Sequence, residues 1–150
     1  MTAARAARRP DHRDDRGTAT VFVVGLALIL LALAGLVVDG GLAINARERV
    51  ADDVEQASRA GAERVDVLTL RQSGVVRLDP AAAQLAAEQF LAARGYAAGD
   101  VTVSADATTV HTQAQRTVST ALLSLVFINS FTVSAQARAR PASGITAAVP

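Results

Sequence analysis

The sequence contains no cysteine and no tryptophan, and only five of its 150 residues are aromatic. Without cysteine the chain has no disulfide framework, no thiolate zinc site and no thiol nucleophile. The two histidines, His12 and His111, lie too far apart in the sequence to suggest a clustered-histidine metal site. All 15 basic residues are arginine, and the formal net charge of +1 argues against a nucleic-acid binder driven by overall charge. We therefore expect a small structural, anchoring or interaction protein without a cofactor.

A long apolar run near the N-terminus is the most informative feature that is present. Residues 17–38 form a stretch of 22 residues without a charge, bounded by Arg16 and Asp39. A helix of that length covers about 33 Å, and a hydrocarbon core is about 30 Å thick. We predict a transmembrane helix over 17–38, with the lipid bilayer as a partner and with Arg16 and Asp39 as membrane-boundary residues.

Charge on the two sides of this run predicts its orientation. Five arginines precede the run, whereas the first charge after it is Asp39. Positive charge stays on the cytoplasmic side of a membrane. We expect a single-pass protein of the cytoplasmic (inner) membrane, with an Arg-rich cytoplasmic tail over 1–16, an extracytoplasmic domain over 39–140 and a flexible tail over 141–150.

A cleaved secretory signal is the alternative interpretation of the run. Ala32-Leu33-Ala34 fits the small-x-small pattern of a signal-peptidase site. Leu36, Val37 and Val38 continue the apolar run past that point, as expected of an anchor that is retained. Cleavage after Ala34 would make the protein a secreted or anchored extracytoplasmic binding module.

Helical periodicity continues beyond the apolar run. Small and apolar residues recur every three or four positions from Ala43 to Leu68, which predicts an amphipathic helix ending near Gln72-Ser73-Gly74. Gly40-Gly41 leaves open whether this helix bends or continues the first one. Asp79 followed by Pro80 predicts the start of another helix, which ends at Gly95.

The C-terminal part changes to a period of two. Apolar residues alternate with polar ones in segments beginning at Val101, Val110 and Phe131, with a turn at Asp106-Ala107. Thr120 to Ile128 is apolar but too short to span a membrane, which suggests a packed helix or an interfacial element. The predicted fold is α+β and pilin-like, with helices covering one face of a small antiparallel sheet of about three strands.

The order of these features resembles the TadE/TadG-like proteins of Flp (Tad) pilus assembly. Arg16-Gly17, the uncharged helix and then Leu36-Val37-Val38-Asp39 are similar to that family's opening signature. The strand at Val101-Thr102-Val103 and the segment from Thr120 to Ala135 are similar to the C-terminal portion of small actinobacterial members. The resemblance implies a membrane component of pilus assembly, with other Tad/Flp pilus proteins as partners.

One departure from pilin-type sequences limits what the resemblance implies. Pilins cut by prepilin peptidase resemble one another in a Gly followed five residues later by a Glu, but here Phe22 follows Gly17 at that distance. Cleavage between Gly17 and Thr18 is therefore a weak candidate for processing. The resemblance favours an uncut, anchored component over a polymerising major pilin.

No residue pattern supports catalysis. Glu48, Asp52 and Glu55 share a helix face and have the residue types of a cation site, but neighbouring arginines indicate a solvated face. The sequence also has no nucleophile elbow and no phosphate-binding loop. We therefore expect neither an enzyme nor a small-molecule substrate.

Overall fold

The computed structural model describes residues 13–142, with side chains from residue 17 onward. Three α-helices precede a three-stranded antiparallel sheet of order β1-β2-β3. The elements are α1 (Arg13–Ala62), α2 (Val67–Ser73), α3 (Pro80–Ala93), β1 (Val101–Ala105), β2 (Val110–Ser119) and β3 (Ser130–Ala139). The predicted α+β fold is thus confirmed. Most of the predicted cytoplasmic tail (1–12) and of the predicted C-terminal tail (143–150) lies outside the described residues.

Helix α1 runs through Gly40-Gly41 as one continuous α-helix. Its 50 residues make it about 75 Å long. The structure thereby decides between the bent and continuous alternatives that the sequence left open. The predicted transmembrane segment and the amphipathic segment are two halves of one rod.

The predicted C-terminal extension of this helix to Leu68 and beyond is wrong, because α1 ends at Ala62. Val65 instead forms an antiparallel bridge with Leu78. The Asp66 carboxylate then accepts the backbone N–H groups of Leu68 and Thr69, which starts the separate helix α2. The helical spacing of apolar side chains continues across this break. The helix nevertheless ends, because local hydrogen bonds compete with those of the helix.

The remaining helix signals are confirmed. Asp79 caps α3 by accepting the N–H groups of Ala81 and Ala82, with Pro80 at the first helical position. Gly95, just beyond the end of α3, has a φ of 81°, which glycine adopts without a steric penalty.

The sheet covers the second half of α1. In β2 the residues Val110, Thr112 and Ala114 are buried, while the residues between them are exposed. The polar outer face includes His111, which pairs across the sheet with Arg138. Alternation in the sequence therefore predicted correctly which face the helices cover.

Small residues let the layers approach closely. The core joins α1, α3 and the sheet through Val50, Val54, Ala57, Ala83, Ala87, Leu91, Val110 and Ala114. A Cβ atom placed on Gly61 would lie 2.8 Å from the carbonyl oxygen of Ala83 and 3.1 Å from a methyl carbon of Val110. Glycine at this position allows the backbone of α1 to contact α3 directly.

Candidate functional site

The point where the apolar half of α1 ends is also where the loop between β2 and β3 returns to the helix. Asp39, the first charged residue after the apolar run, is buried, with 1% of its surface exposed. Its carboxylate accepts the backbone N–H groups of Ala121, Leu122 and Leu123 at 2.8, 3.0 and 2.6 Å. One side chain thus binds a segment more than 80 residues away in the sequence.

The backbone N–H groups at the start of this loop explain why a carboxylate binds there. A 3-10 turn over Leu123–Val126 begins there, and no side chain of its own N-cap residue caps it. The first N–H groups of any helical turn lack partners within that turn. A carboxylate satisfies them with charge-assisted bonds, which are stronger than neutral ones. Asp39 therefore acts as an N-terminal cap supplied by a different element.

Gly35, one helical turn before Asp39, forms the other part of this junction. A Cβ atom on Gly35 would lie 3.2 Å from the Cβ of Leu122 and 3.3 Å from a methyl carbon of Leu123. The loop therefore packs against α1 inside the uncharged run. We call the contact of Gly35 and Asp39 with residues 121–123 the junction.

A second polar cluster fastens α1 to the other elements farther along the helix. The Asp53 carboxylate accepts a hydrogen bond from the Tyr96 hydroxyl at 3.0 Å and forms an ion pair with Arg94. The Arg116 guanidinium lies over the Tyr96 ring, 4.3 Å from its centroid. Burial, followed by the hydrogen bond and the charge of Asp53, raises the pKa of Tyr96 to about 12. This cluster fixes the packing of the domain and leaves Tyr96 protonated at neutral pH.

The structure places the sequence-predicted site residues in two different environments. Gly17 and Thr18 are exposed and lie within α1, so the peptide bond between them is part of a continuous helix. The backbone of Arg16 belongs to the same helix, while its side chain lies outside the described residues. Asp39 is buried in the junction, so the predicted boundary residues do not form one site. Processing between Gly17 and Thr18 stays a prediction.

Glu48, Asp52 and Glu55, the acidic residues that share a face of α1, are exposed. Glu55 pairs with Arg59 one turn later, on the exposed surface. Within residues 13–142, no group of three or more acidic or histidine side chains is arranged to hold a metal ion.

Sequence reasoning missed the partner of Asp39, although both components were visible. Asp39 was predicted only as a membrane-boundary residue. The segment 120–128 was predicted to be packed or interfacial, but nothing linked it to Asp39. The absence of charge between Arg116 and Arg138 is the signal that could have linked this segment to the apolar half of α1.

Fold and junction together define a small α+β protein carried on one long N-terminal helix. Among the described residues, one helix is long and apolar enough to cross a membrane, with a mean hydropathy of 3.1 in its most apolar window, of which 6% is buried. Residues 17–64 match the model of the family described as "Putative Flp pilus-assembly TadE/G-like". The similarity to this family covers about a third of the chain, from the start of the apolar half of α1 to just beyond the helix end.

The family match supports involvement in Flp pilus assembly. This is a structural and assembly family that is not known for enzymatic activity. Neither a curated protein nor a solved structure matches the chain significantly. The resemblance of the C-terminal strands to small actinobacterial members stays a prediction.

Proposed function

We propose that this protein is a membrane-anchored minor component or assembly factor of a Tad/Flp-type pilus, which acts through helix packing and protein–protein contacts. The observation that carries the proposal is that the family match covers the same residues as the apolar and amphipathic parts of α1. The match begins at Gly17, where the uncharged run begins, and ends at Arg64, two residues beyond the end of α1. The family-like part of the chain is thus the anchor together with its extension.

The exposure of the first half of α1 supports anchoring. Its large apolar side chains from Val21 to Val38 are 39–76% exposed, and no other described element packs along most of that length. A soluble domain rarely leaves so large a contiguous apolar surface in water. The bilayer is the solvent that such a surface fits.

The charges around α1 support one orientation and argue against polymerisation as a major pilin. Arginines dominate before the run, which supports an orientation with the N-terminus in the cytoplasm, α1 in the cytoplasmic membrane and the domain on the outer side. No acidic residue lies between Asp15 and Asp39. The protein therefore lacks the intramembrane Glu that prepilin-peptidase substrates use, so we expect it to remain uncut.

Membrane anchoring is tested with two matched leucines, Leu30 in α1 and Leu85 in α3, which are 57% and 54% exposed. An arginine at the centre of a membrane helix costs about 3 kcal/mol on insertion. We expect Leu30→Arg to lose most of the carbonate-resistant membrane fraction and Leu85→Arg to keep it. Equal retention of both variants would contradict anchoring through α1.

The role in the pilus is tested in the native host. We expect deletion of the gene to reduce piliation, complementation with the wild-type chain to restore it, and the tagged protein to co-purify with pilus proteins. Normal piliation together with no co-purifying pilus protein would overturn the proposal.

Intact mass and N-terminal sequence of the membrane-extracted protein separate the alternatives of processing. A start at or near Met1 supports the uncut anchor. A start at Thr18 would move the protein toward the pseudopilins, and a start at Gly35 would favour a secreted binding module.

A further inference from the structure

The loop between β2 and β3, residues 120–129, presents large apolar side chains to the surface beside the anchor. Phe127 is 92% exposed, and Leu125 and Ile128 are also exposed. Phe127 adopts a φ of 66°, a left-handed conformation that is uncommon outside glycine. The chain thus turns sharply at its most exposed aromatic residue.

The junction fixes the position of this loop along the helix axis. Leu122 and Leu123 contact α1 at Gly35, and their N–H groups bind Asp39. Gly35 lies about 6 Å along the helix from Asp39 and within the apolar run. If α1 crosses a bilayer over 17–38, the loop lies at the level where the helix leaves the hydrocarbon.

The distribution of charge along the sheet independently indicates which end of the sheet suits an apolar environment. No charged residue occurs from Thr117 to Ala137, which covers the loop and the adjoining ends of β2 and β3. The opposite end of the sheet contains Asp106, His111 and Arg138. The end without charge is the end fastened to the apolar half of α1.

The backbone of the loop also suits a medium of low polarity, where unpartnered N–H groups are costly. Asp39 accepts three of these groups. The N–H groups of Leu125, Phe127 and Ile128 donate to loop carbonyls at 3.1–3.2 Å. Thr120 closes the base of the loop by donating its N–H to the carbonyl of Asn129 at 3.0 Å.

We propose that the β2–β3 loop is a second membrane contact, which inserts Leu125, Phe127 and Ile128 into the interface of the bilayer that α1 crosses. The inference rests on the anchoring part of the proposed function. Lipid is the occupant because the apolar loop continues the apolar surface of α1 and is fastened to it. Two contacts at one end of the domain would fix its tilt above the membrane, which a single helix cannot do.

The absence of tryptophan from the chain allows a direct test. Three single-tryptophan variants of the full chain, Phe127→Trp, Phe22→Trp and Leu68→Trp, are reconstituted in phosphatidylcholine vesicles with or without brominated acyl chains. Phe22 lies in the anchor, whereas exposed Leu68 lies in α2, beyond the far end of α1. Circular dichroism and the unfolding midpoint verify that each variant folds.

We expect brominated lipid to quench the tryptophan fluorescence of Phe127→Trp and Phe22→Trp strongly. The fluorescence of Leu68→Trp should instead be quenched by aqueous iodide. If brominated lipid quenches Phe22→Trp while Phe127→Trp behaves like Leu68→Trp, anchoring through α1 is supported and the loop contact is overturned. If Phe22→Trp is not quenched either, anchoring and the loop contact both fail. Protection of Phe127→Trp in native membranes but not in pure lipid would identify a protein partner and would also overturn the lipid contact.

Discussion

The two halves of α1 have the same secondary structure but opposite surroundings. Val24 in the first half is 54% exposed, whereas Val54 in the second half is fully buried. The first half is apolar around its circumference. The second half buries one stripe of small residues together with Asp53 and leaves its other charged side chains exposed. The apolar half of α1 is thus exposed because the domain does not pack on it. The more polar half contributes to the core because the domain does pack on it. Asp39 lies at the change between the two halves.

Removing the Asp39 carboxylate gives the largest expected effect, because it breaks the connection at the border of the halves. Asp39→Ala leaves three buried or half-buried N–H groups unpartnered, each costing about 1–3 kcal/mol, so we expect a loss of about 3 kcal/mol or more. Thermal unfolding in detergent and amide exchange at residues 121–123 measure this loss.

Two controls bracket that prediction. Asp39→Asn keeps one acceptor oxygen and should lose less stability, and Asp52→Ala removes an exposed acid from the same helix and should change little. Unchanged amide protection in Asp39→Ala would refute the role of this residue as a cap.

The valine pair tests the comparison directly. Val54→Ala opens a cavity in a packed core, and we expect it to lower the free energy of unfolding by about 2 kcal/mol. Val24→Ala removes the same two methyl groups from a side chain that is 54% exposed, so the unfolding midpoint of the domain should not move. A comparable loss at both positions in detergent would mean that the first half of α1 is also packed against protein.

Two glycines in the same helix, Gly61 and Gly25, should differ less in the stability that an alanine substitution costs. Alanine at Gly61 pushes its Cβ against the carbonyl oxygen of Ala83, so we expect a loss of about 1–2 kcal/mol despite the better helix propensity of alanine. Alanine at Gly25 meets no described atom within 4 Å apart from the neighbouring backbone of its own helix, and it should leave the midpoint unchanged or slightly higher. A neutral Gly61→Ala variant would show that α1 and α3 can separate without cost.

The smallest expected effect is a pH dependence of stability that arises from Tyr96, which donates a hydrogen bond to Asp53 in the second half of α1. Tyr96 has a pKa of about 12 in the folded protein and about 10 when unfolded, so its contribution is complete below pH 10 and is lost as the pH rises toward 12. At pH 11 the expected loss is about 1 kcal/mol.

The chain has one tyrosine and no lysine, so few other groups titrate in this window. Chemical unfolding from pH 9 to 11.5 measures the slope. A Tyr96→Phe variant should be flat over this range, and an equal slope in that variant would assign the loss to another group.

Prediction from the sequence succeeded where a signal was local. The apolar run of α1, the cap at Asp79-Pro80 and the alternation of β2 each lie within a few consecutive residues, and each was confirmed. The end of α1 was placed too late because a periodic stripe from Val54 to Leu68 contains no information about the bridge between Val65 and Leu78.

The amino-acid sequence by itself determined the anchor-like run, the order of α1, α3 and the three strands, and the face of the sheet that is buried, because these follow from hydrophobic period and from capping residues close together in the chain. Tertiary structure alone decided that α1 is continuous through its paired glycines and that Asp39 binds the β2–β3 loop. It also decided that Asp53 meets Arg94 and Tyr96. Such contacts join residues about 40 to 80 positions apart, and their existence depends on how the packed layers bring the chain together.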